Sequence, residues 1–433
     1  MPQLSLRPCN SRYALLVVVV FILAVVTFSG CGGGGSGDAV ANVWYPYARE
    51  FPDALAVDID GDGATDIAFI EKGRYSMVEI EDMGGADLEY ATFFSLIVYY
   101  QDTLAAGSFT RKSHNRLLYD TFSLASGDLD RAGLVDIALT QAGINSVAVF
   151  PQNPGNPGTF LARNNIPTGN LPAAIAIEEL NGDFINDIAV AGDQSTLLFN
   201  DAVNPGSSFT DSPVNIPGTN SLAIADVDSD NRNDLVFTSG NTVTVLFQDP
   251  EPAAAGSFSN SDAYASGAGT TAVAIADLNG DSLPDLAIAN NEGMTGRVSI
   301  FFNEPLAAGT FQVPVHYETD TRAVAVAIGD LNDDAFPDLA LASDHEDGGS
   351  VAVLLQETTN PGTFQAAALY PGNHGIDDMA IADLNQDGLS DLLVADAVII
   401  LPSDDPQRWP YIRYQDTDNP GTFLEPVYLP SVN

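Results

Sequence analysis

Cysteine is almost absent from this chain. Of 433 residues only Cys9 and Cys31 carry a thiol, so everything beyond position 31 has neither a disulfide framework nor a thiolate metal ligand. Histidine is nearly as scarce, with four copies (His114, His316, His345, His374), which disfavours zinc, iron and copper. Basic residues are few: 15 Lys and Arg stand against 58 Asp and Glu, a formal net charge of −43. No basic patch can release counterions from a polyanion, so nucleic acid is excluded as a partner, and so is electrostatic docking on an anionic membrane. Cations, neutral surfaces and sugars remain. Catalytic signatures are lacking too: there is no G-x-S-x-G elbow, no P-loop and no cysteine nucleophile. Paired carboxylates for glycoside chemistry are not singled out among so many acids.

Long apolar runs number one, Ala14–Phe28, and nothing after it sustains a 3.6-residue period. At 15 residues the run is short for a bilayer span and suits a signal h-region behind the basic Arg7 and Arg12. It ends in "FSGC", which resembles a bacterial lipoprotein signal with Ser29 and Gly30 before an acceptor Cys31. An uncleaved anchor helix is the alternative. Either places the body of the protein outside the cytoplasm. The resemblance implies residues 1–30 as a signal peptide, a lipid on Cys31 and, with Gly32 next, the outer membrane in a host that has one. Residues 31–41 read as a Gly-rich tether.

What the chain does have is a repeat. "DIDGDGATD" begins at 58 and recurs as "DLDRAGLVD" at 128, "ELNGDFIND" at 179, "DVDSDNRND" at 226, "DLNGDSLPD" at 277, "DLNDDAFPD" at 330 and "DLNQDGLSD" at 383. The intervals are 70, 51, 47, 51, 53 and 53 residues. A second landmark alternates with it: "AAGSF" at 105, "NPGTF" at 156, "NPGSSF" at 204, "AAGSF" at 254, "AAGTF" at 307, and "NPGTF" at 360 and 419. Each unit reads as four short strands; in the fifth they are 271–277, 285–290, 297–303 and 309–317. Seven such units predict an all-β, seven-bladed propeller of four-stranded antiparallel blades spanning 42–433, with the alanine-rich first strands innermost. Residues 42–47 ("NVWYPY") are expected to add a latching strand, and 71–94 to be an insertion in blade one.

With the acidic turn numbered from its first residue, positions 1, 3, 5 and 9 carry Asp, Asn or Glu in nearly every copy, and position 9 is Asp in all seven. Alternate oxygens on a tight loop, with the carbonyl of position 7, suit calcium, which takes six to eight hard oxygen ligands. The repeat resembles the FG-GAP/VCBS family of calcium-loop propellers related to the integrin alpha-chain head. The resemblance implies calcium in the first hairpin of each blade, and extracellular adhesion or ligand binding.

On that basis the ligand sets are Asp58, Asp60, Asp62, Ala64 and Asp66 in blade one; Asp226, Asp228, Asp230, Arg232 and Asp234 in blade four; Asp277, Asn279, Asp281, Leu283 and Asp285 in blade five; Asp330, Asn332, Asp334, Phe336 and Asp338 in blade six; and Asp383, Asn385, Asp387, Leu389 and Asp391 in blade seven. The position-7 residues enter through their carbonyls. Blade three (Glu179, Asn181, Asp183, Ile185, Asp187) is weaker, with Phe184 at the turn. Ser282 and Ala335 replace the turn glycine in blades five and six. Blade two (Asp128, Asp130, Asp136) is expected to be empty, because Ala132 removes a carboxylate and Arg131 adds a cation. About five to six calcium ions per chain follow.

The acidic and NPGTF-type turns should share one face, leaving the opposite face for recognition. There His345 and His374, with Asp344, Glu346, Asp347, Asp377 and Asp378, form a candidate metal or acid/base cluster that polar loop composition explains equally well. His114 and His316 read as surface residues of outer strands. The function expected is a lipid-anchored calcium-binding module for an extracellular or cell-surface protein or glycan. A polysaccharide-acting enzyme and an inert scaffold are the competing classes.

Overall fold

The second strand of each unit sets the architecture. Runs such as "DIALTQ", "DIAVAG" and "DLALAS" are apolar on both faces, and in blades two, three and six every residue of that strand is buried (Asp136–Gln141, Asp187–Gly192, Asp338–Ser343). A strand buried on both faces needs a partner sheet on each side. A ring of blades supplies two.

A computed structural model describes residues 26–29, 40–81, 85–117, 119–214, 216, 218–250, 256–292, 295–319, 322–343, 348–372, 375–396, 398–399 and 410–430. Its described residues form seven antiparallel sheets, six of four strands and that of blade one of six, in which the four blade strands, in chain order, are joined by Val26–Ser29 and Val398–Ile399. The fifth blade, for example, pairs Thr270–Ala276, Asp285–Glu292, Thr295–Phe301 and Val315–Thr319 in sequence. Among the described residues, Ala142–Ile144 forms a single 3-10 turn. The first strands of successive blades pack against one another around the whole ring, and that of blade seven (Ile376–Ala382) packs against that of blade one (Val40–Val57). They are therefore innermost, as the alanine content predicts.

The core is divided among the seams. Seven apolar clusters each mix residues of two adjacent blades; at the closing seam Ile67, Phe69, Ile97 and Tyr99 of blade one meet Leu384, Leu393 and Ile412 of blade seven. Alternation along the second strand makes this possible, since Ile67 and Phe69 face blade seven while Ala68 and Ile70 face blade two. Position 2 of every acidic turn, from Ile59 to Leu384, is fully buried in the same seams.

The insertion at 71–94 takes the form of longer strands: blade one's second and third strands continue, as Asp66–Glu81 and Gly85–Gln101, because "YSMVEIE" and "DLEYATFF" keep a two-residue alternation. Two local expectations need correction. Residues 42–47 are not an extra strand but the leading half of Val40–Val57, paired with 75–79. Its Ala48 and Arg49 also pair with Val398 and Ile399 of blade seven, and its start pairs with Val26–Ser29. The fourth strand of blade five begins at Val315 rather than 309, because Phe311 makes one isolated bridge to Asn303 before the chain bends at Val313.

Candidate metal centre in the acidic turns

The seven acidic turns share one backbone conformation. Position 4 lies at φ between 58° and 78° in every copy, and position 6 at φ between 64° and 90°. Gly63, Gly133 and Gly388 occupy position 6 without strain, whereas Phe184, Asn231, Ser282 and Ala335 are held in the left-handed region by the loop around them. The missing glycines of blades three, five and six therefore do not alter the loop.

Hydrogen bonds within the turn explain that persistence. The position-1 carboxylate collects backbone N–H groups: Asp58 accepts from Gly61 (2.7 Å), Asp62 (3.2 Å) and Gly63 (2.9 Å), and Asp277 does the same from Gly280, Asp281 and Ser282. The position-5 carboxylate accepts from the N–H of position 7, as in Asp62 with Ala64 (2.9 Å). These bonds curl the loop and turn its oxygens inward. One oxygen from each of Asp58, Asp60 and Asp62 lies within 4.8 Å of the others, and the same holds for Asp226, Asp228 and Asp230. It also holds for Asp128, Asp130 and Asp136 of blade two, the turn ranked last from its sequence. In blades three, five, six and seven position 3 is asparagine, so fewer carboxylates converge. Blade four differs in another way: the Arg232 guanidinium forms an ion pair with Asp230, placing a cation of the chain's own at that carboxylate.

Position 9 performs a task that the spacing alone did not reveal. Asp66, Asp136, Asp187, Asp234, Asp285, Asp338 and Asp391 are all buried, at no more than 1% exposure. In each, Oδ2 accepts from the N–H of position 2 at 2.9–3.0 Å. Oδ1 accepts from the N–H of a Gln or Asn at or just past the end of the third strand at 2.7–2.9 Å. The carboxylate thus ties the first hairpin of a blade to its third strand, which accounts for Asp136 in the turn that has lost its position-5 acid. Burial raises these groups to about 6 (Asp66, Asp136, Asp234, Asp338) or about 7 (Asp187, Asp285, Asp391). The backbone N–H donors oppose burial and the neighbouring acids of the turn reinforce it.

The Gln or Asn is a second residue set not anticipated from the sequence. Its amide donates to the position-2 carbonyl of the preceding blade: Asn200 to Leu129 (2.8 Å), Asn303 to Val227 (2.7 Å) and Gln415 to Leu331 (2.6 Å), with Gln101, Gln152 and Gln248 reaching Leu384, Ile59 and Leu180. Its carbonyl accepts the landmark glycine's N–H, as Asn303 does from Gly309 (2.9 Å). That glycine is at φ +87°, and a Cβ on it would stand 2.9 Å from Asp228 Cβ, the position-3 residue of the preceding turn. Acidic and landmark turns therefore do share a face, and each landmark glycine packs on its neighbour's acidic loop. The signal was present as "YYQD", "LFND", "FFNE" and their equivalents, seven times over.

The same face presents apolar side chains to solvent: Leu104, Val203 and Leu306 at the tips of the third-to-fourth connections and Phe184 in an acidic turn are 83–99% exposed. Of the histidine cluster, His345, His374, Asp344, Glu346 and Asp347 lie outside the described residues, as does Cys31. His316 is exposed on the fourth strand of blade five, with Nδ1 2.9 Å from Ser299 Oγ.

The FG-GAP-like repeat family matches residues 226–288, 277–341 and 330–394, windows that each hold two consecutive acidic turns. The chain thus carries FG-GAP-like repeats, matched over 226–394, within a seven-bladed β-propeller. No curated protein matches it. Among solved structures it is similar to a functionally unknown protein from Desulfotomaculum acetoxidans, at 12% identity and a TM-score of 0.50 over 77% of this chain and 92% of that one. It is also similar to Sqt1 from Chaetomium thermophilum (12%, 0.47, 83% and 97%) and to the Dos1 propeller (11%, 0.45, 82% and 93%). At 12% identity the first of these likenesses bears on the fold alone.

Proposed function

We propose that this propeller is a calcium-stabilised binding module, held outside the cytoplasm by a lipid on Cys31 and recognising a protein or glycan. The observation that carries the calcium reading is the convergence of the position 1, 3 and 5 carboxylates on one point of a loop whose conformation recurs seven times. Three clustered acids without histidine or cysteine form a hard-oxygen donor set suited to calcium. Asp58, Asp60 and Asp62 would hold the ion in blade one, with Asp66 beside them. Asp277, Asn279 and Asp281, Asp330, Asn332 and Asp334, and Asp383, Asn385 and Asp387 would do so in blades five to seven. Glu179, Asn181 and Asp183 would form a poorer set. The bound ion supplies positive charge that offsets carboxylate repulsion.

Catalysis is not part of the proposal. The one serine–histidine contact described above, Ser299 with His316, has its hydroxyl fully buried within a strand pair, where no substrate can reach it. Partner recognition draws support from a scaffold that repeats its loops while varying its links, and from the exposed apolar tips.

Calorimetric titration of the chain from Gly37 onward with calcium, alongside thermal melts in chelator, tests the reading. Several ions bound per chain and a melting point that drops in chelator are expected. No binding heat and a melt indifferent to chelator would overturn it. Screening the calcium-loaded form on glycan and surface-protein arrays then tests the partner class, with no saturable ligand favouring an inert scaffold.

A further inference from the structure

The four strands of blade seven come from the C-terminal segment and the four of blade one from the N-terminal one, and across the closing seam the C-terminal segment adds only the short pairing of Val398–Ile399 to Ala48 and Arg49. At the fifth residue before each acidic turn, the innermost strands carry Ser123 and Ser221 in blades two and four and Ala174, Ala272 and Ala325 in blades three, five and six. In blades one and seven, the two that meet at the closing seam, the same position is Asp53 and Asp378. A register shift precedes both, between Glu50 and Asp53 and between Ile376 and Asp378. Bulges of this kind re-aim a side chain.

Asp378 Oδ2 is seated on the N–H of the residue that follows Asp53, which brings the two carboxyl groups within hydrogen-bonding reach of each other. Each also reaches over a seam to an inner-edge N–H that the sheet leaves unpaired: Asp378 Oδ2 accepts from Ala54 of blade one (2.9 Å), and Asp53 Oδ2 from Leu124 of blade two (2.7 Å). Two carboxylates cannot bond to one another when both are ionised; one proton must lie between them.

We propose that Asp53 and Asp378 form a proton-holding clasp that closes the ring, so that the blade seven–blade one seam loosens when the shared proton leaves. Burial raises the proton affinity of both acids and repulsion from Asp53 adds to it at Asp378, while the hydrogen bond from Asp378 opposes it at Asp53; Ser123 and the N–H groups of Ala54, Leu124 and Met379 are the other groups acting on them. The neighbouring ionisable residues by register are Glu71 and Lys72 on blade one's second strand and Asp377 and Asp396 in blade seven, with His374 in the preceding link outside the described residues. A folded-state affinity above that of the unfolded chain means the clasp is complete at acid pH and lost as pH rises through the pair's folded value.

Hydrogen exchange read by mass spectrometry in saturating calcium, from pH 6 to 9, tests this on the full chain and on Asp378→Asn. Asparagine imitates the protonated acid, so its amide can donate to Asp53 without a titrating proton. In the wild type, peptides covering 53–57 and 376–382 should exchange faster than intrinsic chemistry predicts, by up to about tenfold per pH unit, while the inner strand of blade four (221–225) serves as control. Asp378→Asn should abolish the excess. If Asp378→Asn does not fold, Asp53→Asn makes the same substitution from the other side. Wild-type seam peptides that track the control, or an excess that survives in both variants, would overturn the clasp.

Discussion

At the scale of single residues, position 9 separates structural from metal-binding demand. Replacing Asp285 by asparagine keeps one acceptor oxygen and turns the other into an amide facing a buried N–H, that of Leu278 or of Asn303. A loss of about 1–3 kcal/mol is expected in urea unfolding, and it should persist in chelator. A loss confined to calcium buffer would show that the carboxylate serves only the ion. Ala335 presents the opposite case, a side chain held at φ +67° where glycine is unstrained. Ala335→Gly should raise stability by about 0.5–1 kcal/mol, the left-handed penalty less the added freedom of the unfolded chain. In blade four, Arg232→Ala removes the guanidinium from Asp230. One more calcium ion, or a tighter one, should appear in the titration; an unchanged isotherm would mean the arginine does not compete.

At the scale of elements, the blades are stitched by the Gln/Asn set and by the landmark glycines. Asn303→Ala would strip partners from Val227 O, Pro284 O and Gly309 N at once. A cost of about 1–3 kcal/mol, with faster exchange confined to the blade four–blade five seam, is the expected outcome. Gly309→Ala attacks the same seam sterically, its Cβ meeting Asp228 and the Phe247 ring at 2.9 Å while φ stays near +87°. About 2–4 kcal/mol should be lost by overpacking and backbone strain together. If both variants melt like wild type, the apolar clusters alone hold the seams.

At the scale of the molecule, seven buried aspartates at about 6–7 shape the response to pH. Their folded values exceed the ordinary 3.8, so the folded chain binds more protons than the unfolded one through this range. Their contribution is complete below about 4 and is withdrawn as pH rises through 6–7. In chelator the melting temperature should therefore fall from pH 5 to pH 8. Calcium, which requires ionised carboxylates, should flatten or reverse that slope. A chelated melt independent of pH would place these acids in a wetter setting than the structure gives them.

The sequence by itself determined the count of blades, the order of four strands within each and the innermost place of the alanine-rich strands. Those properties are local: an acidic turn, a hairpin and a landmark glycine recur every fifty residues or so, and the alternation between them is readable along the chain. It also placed the carboxylates of Asp58, Asp60 and Asp62 in one turn. What the tertiary structure decided is how the units hold one another. The partner of Asn303 is the carbonyl of Val227, 76 residues earlier in the preceding blade. The acid that meets Ala54 at the closing seam is Asp378, 324 residues away. Asp in position 9 is visible in the sequence and its bond to position 2 is local, but its bond to the Gln or Asn exists only once a third strand returns alongside the turn. A repeat encodes what each unit does alone; contacts across seams come into being only when the ring closes and brings distant copies to a few ångströms.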